Sequence, residues 1–243
     1  MLENIKSHFD DFTFHAKVMP VLVLFLPVLV LGVYNGILLD KVVENLVLLS
    51  IVIIFLTFTS KVGRELGKTA EEKMYTDLGQ KPTTILLRYS DDTIDVVTKT
   101  RYHKALNEFV PELKLPLNKK DEKKSTDSMY ASAINSLRIY ANSNRDKEPR
   151  VYQELKEYNF WRNLYGVKSL ALVVYICLGI REIVLVEEFN IKHIFSTPYP
   201  HYIALIIMSV SIIFLCCFVN KKTVKRKAFD YAKALIEVSE GLG

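Results

Sequence analysis

Four stretches of this chain are long and apolar enough to demand burial in protein or in lipid, and they come in two pairs at the two ends. A bilayer crossing takes about 20 residues of helix. Residues 18–39 and 42–60 meet that measure, and so do 169–186 and 202–219. Half of the 243 residues are hydrophobic and 24% are charged. The charges concentrate in the middle, over residues 61–168, and in a basic tail, 221–243. The pattern predicts an all-α, multi-pass membrane protein: a transmembrane hairpin, a helical cytoplasmic domain over 61–168, a second hairpin and a basic C-terminal helix. The third span is the least apolar, because it carries Arg181 and Glu182.

Basic residues flanking the spans set their direction. Lys61, Arg64 and Lys68 follow the second span, Arg162 and Lys168 precede the third, and KKTVKRK follows the fourth. The two short connections hold one lysine each and more acids than bases. Both termini and the central segment are therefore expected in the cytoplasm, and four crossings return the chain to that side. The N-terminus, MLENIKSHFDDFTFHAK, mixes acids with bases and no small-residue cleavage site follows, so it does not read as a secretory signal.

The formal net charge of +5 is mild, far from that of a dedicated nucleic-acid binder. Cys177, Cys216 and Cys217 all lie in apolar runs, where a thiol behaves as a small hydrophobe. No Cys/His spacing fits a metal site, and no phosphate loop, HExxH or nucleophile elbow is present. The chain is expected to need no cofactor and to be no enzyme.

Polar residues within the spans fall into stripes. Ser50, Thr57, Lys61, Arg64 and Lys68 recur at helical spacing, as do Ser209, Cys216 and Asn220. Such a stripe packs helices together or lines a water path. As pore or gate residues the candidates are Ser50, Thr57, Lys61, Arg64, Ser209 and Asn220. Pro20 and Pro27, seven apart in the first span, each remove a backbone donor and bend the helix. No acid is buried in mid-span and no paired broken helices appear, which argues against an ion-coupled transporter.

In the central segment the second span continues as a helix to a stop at Gly79. Pro82 opens a turn or helix. Ile94, Val97, Tyr102, Leu106 and Phe109 follow near helical spacing, and Tyr130, Ala133, Ile134, Leu137 and Ala141 mark an amphipathic helix. The Lys- and Pro-rich stretch between them reads as a mobile loop. The cluster Arg101-Tyr102-His103-Lys104, with Thr83, Thr84, Arg88 and Arg138, is either a solvated face or an anion site. Guanidinium forks and hydroxyls suit phosphate. As a site it would hold a nucleotide or a single-stranded oligonucleotide.

The junction YNFWRNLYGVK, Tyr158–Lys168, leads into the third span. Trp161, Tyr165 and Lys168 suit an inner membrane boundary. Trp161, Arg162, Asn163 and Gly166 are candidates for coupling the cytoplasmic domain to the spans.

These segments resemble a bacterial family of four-span membrane proteins. The resemblance runs from about Arg64 to Lys168 and rests on PTT-x-LLR at Pro82–Arg88, T-K-x-RYH at Thr98–His103 and YNFWRNLYG at Tyr158–Gly166. The family's junction is YGFRRNLLG-like, so Asn159 and Trp161 depart from it. The layout is also similar to the Hailong-type membrane effectors of antiphage defence, in which a nucleotidyltransferase makes an oligonucleotide that controls a channel. The resemblance implies a ligand-gated ion channel in a bacterial inner membrane with a nucleotidyltransferase partner. Four spans are too few to enclose a generous pore, so several copies are expected to assemble as a homo-oligomer, a tetramer by symmetry. The alternative is a non-conducting anchor or scaffold that recruits a cytosolic defence enzyme.

Overall fold

A computed structural model describes residues 11–34, 42–123, 125–185 and 199–242, with backbone alone at 29, 31–34, 42–52, 185, 199–201 and 204. Among the described residues every regular element is a helix, with no strand. A short helical turn, Asp11–Thr13, and a π turn, Phe14–Val18, lead into α1, Met19–Tyr34. Then come α2 (Val42–Leu78), α3 (Pro82–Leu87), α4 (Val96–Phe109), α5 (Thr126–Ser143), α6 (Pro149–Leu185), α7 (Tyr199–Cys217) and α8 (Lys221–Glu237), with a 3-10 turn at Val238–Gly241.

The helix ends follow from local chemistry. Gly79 stops α2 at φ 77° and donates its N–H to the Thr76 carbonyl at 3.1 Å, a left-handed cap that glycine alone adopts without cost. Pro82 sits in the first turn of α3, where a missing N–H loses nothing. Asp95 caps α4 by accepting from Thr98 N–H at 2.8 Å, and that bond holds its carboxyl below the usual range. Asn220 caps α8, its Oδ1 accepting from Thr223 N–H at 3.0 Å.

The chain forms two compact units. The first comprises Met1–Ala70 and Asn159–Thr223, and the second Glu71–Tyr158 and Val224–Gly243. Residues 61–70 and 159–168, which the sequence assigns to the cytoplasmic segment, thus pack with the first unit. The basic C-terminal helix packs with the second from Val224 onward. The reason in that case is amphipathicity: Val224, Ala228, Tyr231, Ala232, Leu235 and Ile236 of α8 are all buried.

The core of the first unit joins Leu24, Leu164, Val167, Ala171, Tyr175, Leu215 and Val219. Its outside is apolar as well. Among the described residues, all but four of the exposed large hydrophobic side chains lie on α1, α2, α6, α7 or directly after it, from Leu26 through Ile54, Val173 and Val184 to Ile206 and Phe218. Among the described residues one helical stretch, Asp11–Val28, is long and apolar enough to cross a membrane, and Leu205–Cys217 qualifies only when joined to Lys221–Gly241 across residues 218–220.

The second unit buries Tyr130, Ala133, Ile134, Leu137 and Ala141 of α5 against α3, the set that the periodicity predicts. On α4, Tyr102 and Leu106 are buried while Val97, on another face of the helix, is 73% exposed. The stretch 110–123 is tied down. Asn107 donates to and accepts from the backbone of Leu115 at 3.1 and 2.7 Å, and Leu115 is buried.

Candidate functional site

Two constellations stand out, one in each unit. The first is a close helix crossing between α2 and α6. Gly63 and Gly67 lie four apart on one face of α2 and are both buried. Gly166 of α6 meets Gly67 backbone to backbone. A Cβ on Gly166 would overlap the Gly67 nitrogen and sit 2.8 Å from its Cα and 2.9 Å from the Leu66 carbonyl carbon. A Cβ on Gly67 would lie 3.0 Å from both the Arg162 carbonyl oxygen and Asn163 Oδ1, and one on Gly63 would lie 2.9 Å from Val167 Cγ1. Small residues permit this approach, as they do between helices in lipid.

Asn163 stands at the centre of the crossing and is 3% exposed. Its Nδ2 donates to the Ala16 carbonyl at 2.7 Å. In a regular helix that carbonyl would accept from residue 20, but residue 20 is proline and has no N–H. The chain answers with a π turn, in which Met19 N–H reaches back to the Phe14 carbonyl, and Asn163 supplies the donor that Ala16 lacks. Arg162 covers the other side of the amide, donating from Nε and Nη2 to Asn163 Oδ1 at 3.3 and 3.2 Å. Higher on α6, the Tyr175 hydroxyl donates to the Leu24 carbonyl, within the turn that Pro27 distorts. The carbonyl that Pro27 itself leaves without a helical donor is that of Val23, one residue earlier.

Trp161 packs edge to face on Phe160 at 5.5 Å and against Phe214 of α7 at 6.5 Å. Lys168 donates to the Val219 carbonyl at 2.8 Å, placing a cation just past the C-terminus of α7, where it complements the helix dipole. Of the four junction candidates, Asn163 and Gly166 form the crossing, Arg162 borders it, and Trp161 anchors α6 to α7.

The pore candidates lie elsewhere on the same helices. Thr57, Lys61 and Arg64 are exposed on α2, with Lys68 half-buried, on the side away from Gly63 and Gly67. The Thr57 hydroxyl is spent on its own helix, donating to the Ile53 carbonyl at 2.8 Å. Ser209 is exposed on α7. Asn220 serves as the α8 cap. Ser50 belongs to α2, and its side chain lies outside the described residues.

The second constellation is a buried polar network in the second unit. Arg88 makes a two-pronged pair with Asp127, which also accepts from Gln80 Nε2 at 3.1 Å. The pair raises the Arg88 pKa further. Lys99, 1% exposed, donates to the Arg88 and Asp91 carbonyls, and burial lowers its pKa. His103, fully buried, places Nδ1 2.6 Å from the Pro116 carbonyl and Nε2 3.0 Å from the Leu87 carbonyl. Burial holds its pKa below the ordinary value, against the pull of those carbonyls and of Glu122. Glu122 accepts from Tyr89 N–H at 3.0 Å and from the Tyr130 hydroxyl at 2.8 Å.

Thr83 and Thr84 are buried in α3 beside this network. Arg101 is drawn away to Glu240 of the C-terminal turn at 2.7 Å, and Lys104 is exposed. Arg138 is exposed and hydrogen-bonds Tyr231, which stacks on Tyr158. The structure therefore gathers Arg88 and His103 around the 110–123 stretch and leaves Arg101, Lys104 and Arg138 outside that group. Sequence reasoning missed Lys99, Glu122 and Asp127. A lysine and two acids in a charged stretch carry no periodic signal. Among the described residues no group of His, Cys, Asp and Glu is arranged to hold a metal.

Compared with protein-family models, curated proteins and solved structures, the chain matches none.

Proposed function

We propose that this chain is a four-span protein of a bacterial inner membrane, with both termini in the cytoplasm, that assembles as a homo-oligomer into a ligand-gated ion channel of antiphage defence. The observation that carries this reading is the surface of the first unit. An apolar belt covers α1, α2, α6 and α7, and one polar stripe, Thr57-Lys61-Arg64, breaks it on α2. The cavity inside the protomer is lined by apolar side chains apart from Thr59 and Tyr175. That cavity offers water little polar lining among the described residues, whereas copies that turn their α2 stripes toward a shared axis would supply one. Closed cyclic symmetry brings one stripe from each copy to the axis, and a tetramer is the assembly proposed.

The second unit is the sensor in this reading. Its gate signal is a nucleotide, a single-stranded oligonucleotide or a protein partner, the nucleotidyltransferase included. The signal reaches the spans along α2 and α6, which run through both units as unbroken helices.

The rival reading, a non-conducting anchor for a cytosolic defence enzyme, draws on a separate observation. Arg88, Lys99 and His103 already have partners within the unit, so a small anion has less to gain there than a protein docking on the exposed Lys104 and Arg138. Purified protein in planar bilayers separates the two. Ligand-dependent conductance that a Thr57→Trp substitution abolishes supports the channel. Silent bilayers under every ligand, with partner capture intact, support the anchor.

A further inference from the structure

We propose that the cavity of the first unit is a binding site for one acyl chain of a membrane lipid, an inference that rests on placing this unit in a bilayer. The cavity holds about 220 Å³ between α1, α2 and α6. Leu24, Ala171 and Tyr175 form its buried floor, while Phe55, Phe58 and Leu170 at its rim are 48, 65 and 50% exposed. Thr59 and Tyr175 bring the only heteroatoms in the lining side chains, and the Tyr175 hydroxyl is committed to the Leu24 carbonyl.

Water needs two to four polar partners to occupy such a space, and an apolar void of roughly 150 Å³ stays dry and takes up a benzene-sized guest. The walls do not readily collapse. Val28, Val62, Val167 and Val174 are β-branched and stiff at χ1, and Phe25 meets Phe55 edge to face at 4.8 Å. The rim is continuous with the apolar belt, so hydrocarbon is what reaches the opening, and an unbranched, flexible chain is the form of hydrocarbon a bilayer supplies. The occupant would press on Val167, the residue that Gly63 meets at the α2–α6 crossing. An acyl chain here is therefore placed to bear on that crossing.

The test uses the full chain in nanodiscs of phosphatidylglycerol and phosphatidylethanolamine, released into mild detergent for native mass spectrometry, with vesicle flotation run in parallel. The expected result is one phospholipid retained per wild-type chain and at least a tenfold loss of the lipid-bound fraction in Ala171→Phe, which fills the cavity from its floor. Val174→Phe fills it from another wall, should the first variant fold poorly, and Val184→Phe on the outer belt should retain lipid like the wild type. A chain that floats with vesicles but retains no lipid, or retains it equally in both filling variants, overturns the acyl site and leaves the membrane reading intact. A chain that does not float removes both. Loss of a lipid-free dimer in the filling variants would assign the cavity to a second copy and overturn the proposal.

Discussion

Asn163 donates to the Ala16 carbonyl at 2.7 Å because Pro20 cannot. The two residues are 147 positions apart. Asn163→Ala leaves a buried carbonyl without a donor and should cost about 1–3 kcal/mol. Pro20→Ala restores the backbone N–H, so in that background the same substitution should cost much less. A double-mutant cycle on thermal unfolding in detergent measures the difference, and strict additivity would refute the assignment.

Gly166 leaves no room for a side chain against Gly67. Gly166→Ala should destabilise the first unit by about 1–3 kcal/mol, the range for forced overpacking, and Gly166→Val by more. Gly79 is the contrast: nothing lies within 4 Å of a Cβ there, so Gly79→Ala should cost only the left-handed backbone penalty, about 1–2 kcal/mol. Unfolding midpoints of the three variants rank them.

His103 makes the second unit sensitive to acid. Its pKa is lowered by burial, so below about pH 6.5 the unfolded chain binds a proton that the folded chain refuses. Stability from this group is therefore full above that pH and falls as pH drops toward the folded pKa. Denaturant midpoints between pH 5 and 8 should show the loss, and His103→Gln should flatten the profile while lowering stability at pH 8.

Tyr130 and Tyr158 act at the other end of the scale. Burial raises both pKa values, assisted by Glu122 at Tyr130 and by Tyr75 and Glu71 at Tyr158. Above about pH 10 the unfolded tyrosines ionise while the folded ones stay protonated, so stability falls by about 1.4 kcal/mol per pH unit for each. Spectrophotometric titration should show these phenols ionising only as the fold is lost, and Tyr130→Phe should remove one proton from the slope.

Asp127 is tested through Arg88. Asp127→Ala leaves the guanidinium and Gln80 without their shared partner and should cost about 3 kcal/mol, because the Arg88 charge remains partly buried. Arg88→Met with Asp127→Leu should recover most of that loss in chemical denaturation.

The elements that the sequence makes legible are those written in local pattern. The 3.6-residue period over Tyr130–Ala141 marks α5 and its inner face, Gly79 marks the end of α2, and Pro82 the start of α3. The helical class follows from such signals because a helix closes its own hydrogen bonds within four residues. The loop after Phe109 was legible as a loop, but its anchoring was not, because Asn107 with Leu115 and His103 with Pro116 depend on partners eight and thirteen residues away. The phosphate-site expectation met the same limit. Asp127 pairs with Arg88, and both ring nitrogens of His103 face backbone carbonyls.

By itself the sequence determined that the chain is helical, where its apolar stretches lie, and that Pro20 and Pro27 would leave backbone carbonyls without donors. Only the tertiary structure decided that Asn163 would supply the donor at Ala16, and that Gly67 and Gly166 would touch. A missing hydrogen bond is a local property of proline, whereas the group that replaces it must come from whichever helix packs alongside, and that choice is made by packing over the whole unit.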